Sequence, residues 1–277
     1  MHMNDTRSPE LSVILVTPDS YETVRTTIRY LLRQQARDRM ELILVVPREH
    51  ELKPDMEDLN GFLAYQIVEV GPIQSIAYAN SAGIRRSRAP VVALAEDHAF
   101  PAPGWAEALL NAHQGECAAV GPVVRNANPR SIVSWADLLI AYAPWLYPGR
   151  AGHRDHLPGH NSSYKKDILL GYGSELEAML EAESVLHWDM RQKGHRLHLE
   201  PAAQVAHLVR AVVGRDGRGR GRDIGARATS GDTRRVIGHA LRDGRAADTG
   251  ERQDGESGER DDGDDRVLEH LSLQGMA

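Results

Sequence analysis

Cysteine is nearly absent: Cys117 is the only one in 277 residues. No internal disulfide is therefore possible, and a reducing compartment is the natural setting. Neither sign of charge dominates. The formal net of −6 leaves the chain without the basic footprint of a nucleic-acid-binding protein. No run approaches the roughly 18 apolar residues that a spanning helix needs. The opening stretch, MHMNDTRSPE, contains no apolar h-region and no signal-peptide pattern. These absences point to a soluble, cytoplasmic protein, with peripheral contact at the inner face of a membrane left open. Aromatic side chains also stop early, for no Phe, Tyr or Trp follows Trp188.

That last absence marks a change of composition. Residues 11–208 alternate apolar runs with polar, helix-like segments, and a hydrophobic content of 41% is enough for one sizeable core or two small ones. Beyond about Val213 the chain reads GRDGRGRGRDIGARATSGDTRR and later DTGERQDGESGERDDGDDR. Such a segment cannot bury enough apolar surface to offset the entropy of ordering it. Residues 209–277 are thus expected to be a disordered, low-complexity tail, with short helices at most at Val236-Ile237 and Val267–Leu273. Residues 1–10 are expected to be flexible. The Gly-Arg run at 214–222 has the texture of a nucleic-acid-binding tail, but Asp216 and Asp223 dilute its charge and favour a solvated one. An out-of-frame reading of a GC-rich gene would look the same, which resequencing the coding DNA tests.

Within residues 11–208, LSVILV (Leu11–Val16) is a nearly continuous apolar run rich in branched residues, as expected of a parallel strand covered on both faces. Ser20 is placed to cap a helix over residues 21–35, whose apolar Val24, Ile28, Leu31 and Leu32 share one side. ELILVV (Glu41–Val46) is a second such strand, stopped by Pro47. YQIVEV (Tyr65–Val70) is a third, more alternating one, Ile76–Arg86 reads as a helix, and VVALA (Val91–Ala95) is a fourth strand. Strands alternating with helices predict an α/β domain built on a mainly parallel central sheet flanked by helices. In such sheets ligands bind outside the carboxyl ends of the strands.

The fourth strand ends in Glu96-Asp97-His98, followed by a turn with two prolines and a glycine before Trp105. Carboxylates beside an imidazole suit a divalent cation such as Mn2+ or Mg2+. A cation there can bridge a diphosphate and neutralise charge on a leaving phosphate. Alternation along an extended segment sends Glu96 and His98 to one side and Asp97 to the other. On spacing alone, a solvated strand end built of ordinary turn residues explains the triplet as well.

The order of segments adds to this. SVILVTPDS is followed by ELILVV, by YANSAGIRRSRAPVVALAEDHAFPAPGWAEALL, by GHNSSYKKDIL and by EAESVLHWDMRQKGHRLHLEPAAQVAH. In this order, residues 11–208 resemble a family 2 glycosyltransferase of the GT-A fold. Asn80, Gly83, Pro101, Pro103, Gly104, Trp105, Gly159, Asn161, Tyr164 and Gly194 fall where that pattern wants them. The resemblance implies a Rossmann-like GT-A domain and a nucleotide-diphospho-sugar donor. It also implies a glycan or lipid-linked acceptor, a hexosyl-type transfer and a role in cell-surface polysaccharide synthesis.

Carried over by residue, Glu96-Asp97-His98 occupies the acidic D-x-D slot that binds metal and nucleotide diphosphate, with His98 in place of the last acid. Imidazole ligates Mn2+ well, so the change shifts preference away from Mg2+. His207 is either a further ligand or a structural histidine. Asn80 belongs to the donor side, and Thr17 and Asp19 are candidates for a ribose or base contact. The second strand ends in Pro47-Arg48-Glu49-His50 where relatives carry an acid pair for the base, leaving Glu49 as the substitute. Inverting transfer needs a carboxylate to take the acceptor proton. The resemblance puts Glu183 in that slot, with Ala182 interrupting the usual acid pair and Glu181 as the competing candidate. His160, Asn161 and Trp105 are candidates for acceptor or phosphate contact. The departures at Pro47-Arg48 and Ala182 keep an alternative in view, a non-catalytic relative that binds nucleotide or glycan.

Overall fold

The structure, a computed structural model, describes residues 7–208. The expected tail and its two apolar scraps lie outside the described residues.

The four runs read as parallel strands pair as such. Leu11–Val16 (β1) lies between Met40–Val46 (β2) and Val91–Ala95 (β4), and β2 carries Ala64–Glu69 (β3) on its outer side, all in parallel register. Every residue of β1 and β2 is buried, which is why both read as nearly continuous apolar runs, broken only by Ser12 and Glu41. β3 is an edge strand and only half-buried, which explains its alternation.

The two faces of this half-sheet feed two cores. Val13 and Leu15 pack with Val24, Ile28 and Leu31 of helix α1 (Tyr21–Leu31), whereas Ile14 and Val16 join Ala77, Ala79 and Ile84 on the other face. α1 ends four residues short of the expected boundary, and Ser20 stands at its N-cap without a side-chain bond. Two short helices, Glu49–Leu52 (α2) and Met56–Leu59 (α3), follow β2. The helix at Ile76–Arg86 (α4) lies very close to the sheet because Gly83 has no Cβ; one there would stand 2.6 Å from Ile14 Cγ2. One charge lies inside this half. Glu41 is fully buried, but it accepts from Ser12 Oγ at 2.6 Å, from Gln66 Nε2 at 2.8 Å and from Arg88 Nε at 2.5 Å. Burial would push its carboxyl up; those donors hold it below the usual range.

Beyond β4 the sheet is mixed rather than parallel. Ala99–Pro101 (β5), helix Trp105–His113 (α5) and Cys117–Asn126 (β6) follow in the chain, then helix Ile132–Tyr142 (α6) and Gly152–His153 (β7). Ser163–Lys165 (β8), helix Lys166–Leu170 (α7), helices Leu176–Glu181 (α8) and Glu183–Gln192 (α9), and Arg196–His207 (β9) complete it. The spatial order is β3-β2-β1-β4-β8-β6-β9-β5, with β7 on β9. β8 runs antiparallel to both β4 and β6, and β6 and β9 are parallel. Their register slips between Pro122 and Val123, opposite the stretch from Glu200 to Gln204 that contains Pro201. Proline cannot donate to a ladder, so it marks such irregularities. This curl carries the end of β9 back beside the end of β4, and β5 pairs with β9 so that Ala99 opposes His207.

Candidate active site

The site begins at the carboxyl end of β4. Thr27 of α1 donates to the Glu96 carbonyl at 3.1 Å and fixes the backbone there. The Glu96 side chain is 14% exposed and surrounded by imidazoles: His160 Nδ1 and His207 Nε2 each lie 3.4 Å from its oxygens, and His98 Nε2 lies at 3.8 Å. Asn161 Nδ2 donates to Glu96 Oε2 at 3.3 Å. Asn161 holds a left-handed backbone, φ +62°, a conformation that asparagine tolerates better than most residues. Its own N–H donates to the Leu94 carbonyl at 2.6 Å, so the strain is held by the sheet.

Burial would push the Glu96 carboxyl up. The charge of His160, the bond from His207 and the charges of His98 and His207 outweigh it and hold the group at about 2. Reciprocally, the Glu96 charge pushes His160 up, against burial, with Glu183 adding to it.

Glu96, His98 and His207 offer one ligand atom each, all within 4.8 Å of one another. Asp97 stands outside this group and pairs with His98, Oδ1 to Nδ1 at 2.5 Å, which leaves His98 Nε2 toward Glu96. A carboxylate behind a histidine is how metal-bound imidazoles are oriented. His207 Nδ1 is buried with no hydrogen-bond partner. A carboxylate and two imidazoles fit a divalent cation of the Mn2+ type.

His160 links this cluster to a second carboxylate, since its Nε2 lies 3.9 Å from Glu183 Oε1. Two helices meet at a break in this stretch. α8 ends at Glu181, Ala182 leaves helical geometry at φ −133° and ψ 75°, and α9 begins at Glu183. The break separates the two acids: Glu181 is exposed, while Glu183 faces a cleft of about 870 Å³. Burial pushes the Glu183 carboxyl up, Glu96 and Glu181 add to this, and His160 opposes it. Tyr142, Trp145, Leu157, Gly159, His160 and His187 also line the cleft.

The remaining sequence candidates belong to other elements. Thr17 is buried at the end of β1 and donates to the Ser20 carbonyl, with Asp19 exposed beyond it. Glu49 is exposed at the start of α2. Asn80 is buried on α4 with its Oδ1 unpartnered. Trp105 is 1% exposed in the core and lends no face to the cleft. One contributor is absent from the sequence reading: the Tyr142 ring packs on the His207 imidazole at 4.8 Å between centroids. Nothing local distinguishes Tyr142 from any other residue of an apolar helix.

The architecture is the GT-A glycosyltransferase fold. No protein-family profile matches the sequence, and no curated protein matches it. Solved structures do. GalNAc-T7, determined with UDP, GalNAc and Mn2+, superposes with a TM-score of 0.60 at 15% identity, over 84% of this chain and 49% of that one. S. aureus TarS superposes at 0.54 and 13% identity, over 72% of this chain and 37% of that one. TarS residues 1–349 with UDP give 0.53 and 12%, over 72% and 60%. The chain thus spans about a third to three fifths of the proteins it matches.

Proposed function

We propose that the protein is a metal-dependent, inverting glycosyltransferase that moves a sugar from a nucleotide-diphospho-sugar to a hydroxyl acceptor. The observation that carries this reading is the line Glu96–His160–Glu183: a cation-type donor set and a half-buried carboxylate separated by one imidazole. The GT-A fold supports a nucleotide-sugar donor, and the GalNAc-T7 and TarS structures with UDP add weight to a uridine nucleotide.

Glu96, His98 and His207 would hold the cation, with Asp97 orienting His98. A divalent ion bound there neutralises charge that builds on the departing diphosphate. His160, whose protonated form the charges of Glu96 and Glu183 favour against burial, lies 3.4 Å from Glu96 and would add positive charge there when protonated. Glu183 takes the proton of the acceptor hydroxyl as that oxygen attacks the anomeric carbon. The bond from that carbon to the phosphate oxygen breaks, the electron pair leaves with the nucleoside diphosphate, and configuration inverts. Burial raises the Glu183 carboxyl toward the range in which a general base works best.

The acceptor side is the cleft beyond Glu183, whose wall includes the end of α6. The outer face of α6 is apolar and open: Ile132 is 87% exposed and Ile140 85%, with Val133, Trp135 and Leu139 beside them. Arg130 precedes this helix, and Arg154 lies at the cleft edge near its end. Exposed apolar side chains suit a membrane interface, although Asp137 on the helix and Asp155 beside Arg154 offset the two arginines; the apolar face favours a lipid-linked acceptor. No described helix is long and apolar enough to cross a membrane.

The test of the reaction is donor turnover by wild type and Glu183→Gln across a panel of nucleotide sugars. Loss of transfer by about 100-fold or more, with donor affinity retained, is the expected result. Unchanged turnover would remove Glu183 from the chemistry.

A further inference from the structure

The sheet carries a second cluster of metal-ligating side chains at the opposite end of β9 from His207. Cys117 opens β6, His153 lies in β7, and His198 lies near the start of β9. Their ligand atoms fall within 4.8 Å of one another. His153 and His198 are direct cross-strand partners in the antiparallel β7–β9 pair, with ring centroids 6.2 Å apart and edge-to-face. Cys117 and His198 are half-buried and His153 is exposed, so the cluster opens to solvent on one side.

We propose that Cys117, His153 and His198 form a second cation site that takes Zn2+, distinct from the Glu96 cluster. One thiolate and two imidazoles are the donors that zinc prefers. Tetrahedral bonds of about 2.0–2.1 Å to nitrogen and about 2.3 Å to sulfur set one sulfur and two nitrogens roughly 3.3–3.5 Å apart. The three present, within 4.8 Å of one another, need to close by up to about 1.5 Å, which side-chain rotations on the sheet supply. Glu200, with Oε2 3.6 Å from His198 Nε2, adds a carboxylate beside the imidazole. Binding releases the Cys117 thiol proton to solvent and leaves a thiolate on the metal.

The site has a structural consequence. β7 pairs with β9 through only two residues, Gly152 and His153, yet the chain leaving it supplies Arg154, Leu157, Gly159 and His160 to the cleft. A cation that ties His153 to β6 and β9 anchors that cleft wall from behind.

The single cysteine makes the test selective. Co2+ is titrated into the metal-free full-length protein, and absorption from thiolate-to-cobalt charge transfer is followed. Only Cys117 can give this band, because the Glu96 cluster contains no sulfur. The proposal expects a saturable band that Zn2+ displaces, and protection of the thiol from a disulfide reagent when Zn2+ is bound. It expects Co2+ affinity to fall at least about ten-fold in His153→Ala and in His198→Ala, and to stay unchanged in Glu96→Gln. Absence of the band in the folded wild type would overturn it. So would a band whose affinity is the same in both histidine variants, since a lone thiolate would then account for it. The wild-type protection experiment needs no variant, so failure of one to fold leaves the proposal open to refutation.

Discussion

A Cβ on Gly159 would overlap the carboxylate of Glu183. The loop ahead of β8 therefore presents bare backbone where the proposed base lies, and the glycine sets where that carboxylate rests. Gly159→Ala must displace the far end of a flexible side chain, so the fold loses little. Misplacement of a reacting group by about 1 Å costs on the order of 100-fold in rate. Transfer should fall by about that factor while the melting temperature moves by only a degree or two. A variant as active as wild type would show that Glu183 is not held by this contact.

Glu183→Gln complements it. The amide preserves shape but cannot accept the proton, so turnover should collapse with nucleotide affinity intact, as measured by calorimetry on the same preparation.

Acid should destabilise the protein through two buried histidines outside the Glu96 cluster. Burial, followed by the charge of Lys165, lowers His113 to about 4, and burial, followed by the charge of His156, lowers His187 to about 4. Each is neutral and hydrogen-bonded inside, His113 to Ser163 and His187 to Tyr164. In the unfolded chain both protonate near 6.5. The unfolded state therefore binds more protons between about pH 6.5 and 4, and stability falls as pH drops through that window. It changes little above 6.5 on their account. The pair should contribute a few kcal/mol, read from urea midpoints at pH 7.5 and 5. The loss should shrink in His113→Gln and His187→Gln, and an unaltered pH slope in both would contradict the assignment.

Membrane contact through α6 is tested with vesicles. The protein should co-sediment with vesicles rich in phosphatidylglycerol and much less with pure phosphatidylcholine, and Ile132→Ser with Ile140→Ser should release it. Equal behaviour toward both vesicles, or retention by the double variant, would remove α6 from that role.

The parallel half of the sheet was legible because β1, β2 and β4 are short apolar runs closed by turn residues, and α4 was legible to its boundaries. The other half was not. β7 has two residues and β8 three, too few to show a period, and Pro122 and Pro201 interrupt β6 and β9 where the register slips. Glu96 and His98 could be read as an acid and an imidazole at a strand end. The approach of His207 and His160 to Glu96 depends on the curl of β9 and on the strained backbone at Asn161, which only the folded chain brings about. The break at Ala182 was equally hidden, since alanine is a strong helix former. Yet it is this break that separates Glu181 from Glu183.

The central claim is that Glu96, His98 and His207 hold a cation on a nucleoside diphosphate. The most direct measurement is a thermal-shift panel of UDP, GDP, dTDP and CDP, each with and without Mn2+, on wild type and on Glu96→Gln. A ligand that binds only the folded state raises its apparent stability, by about 2.7 kcal/mol at a hundred times its dissociation constant. The account predicts a stabilisation by one nucleotide, UDP first among them, that requires Mn2+ and disappears in Glu96→Gln. A shift that is the same without metal, or that survives in Glu96→Gln, would contradict it, as would no shift with any of the four.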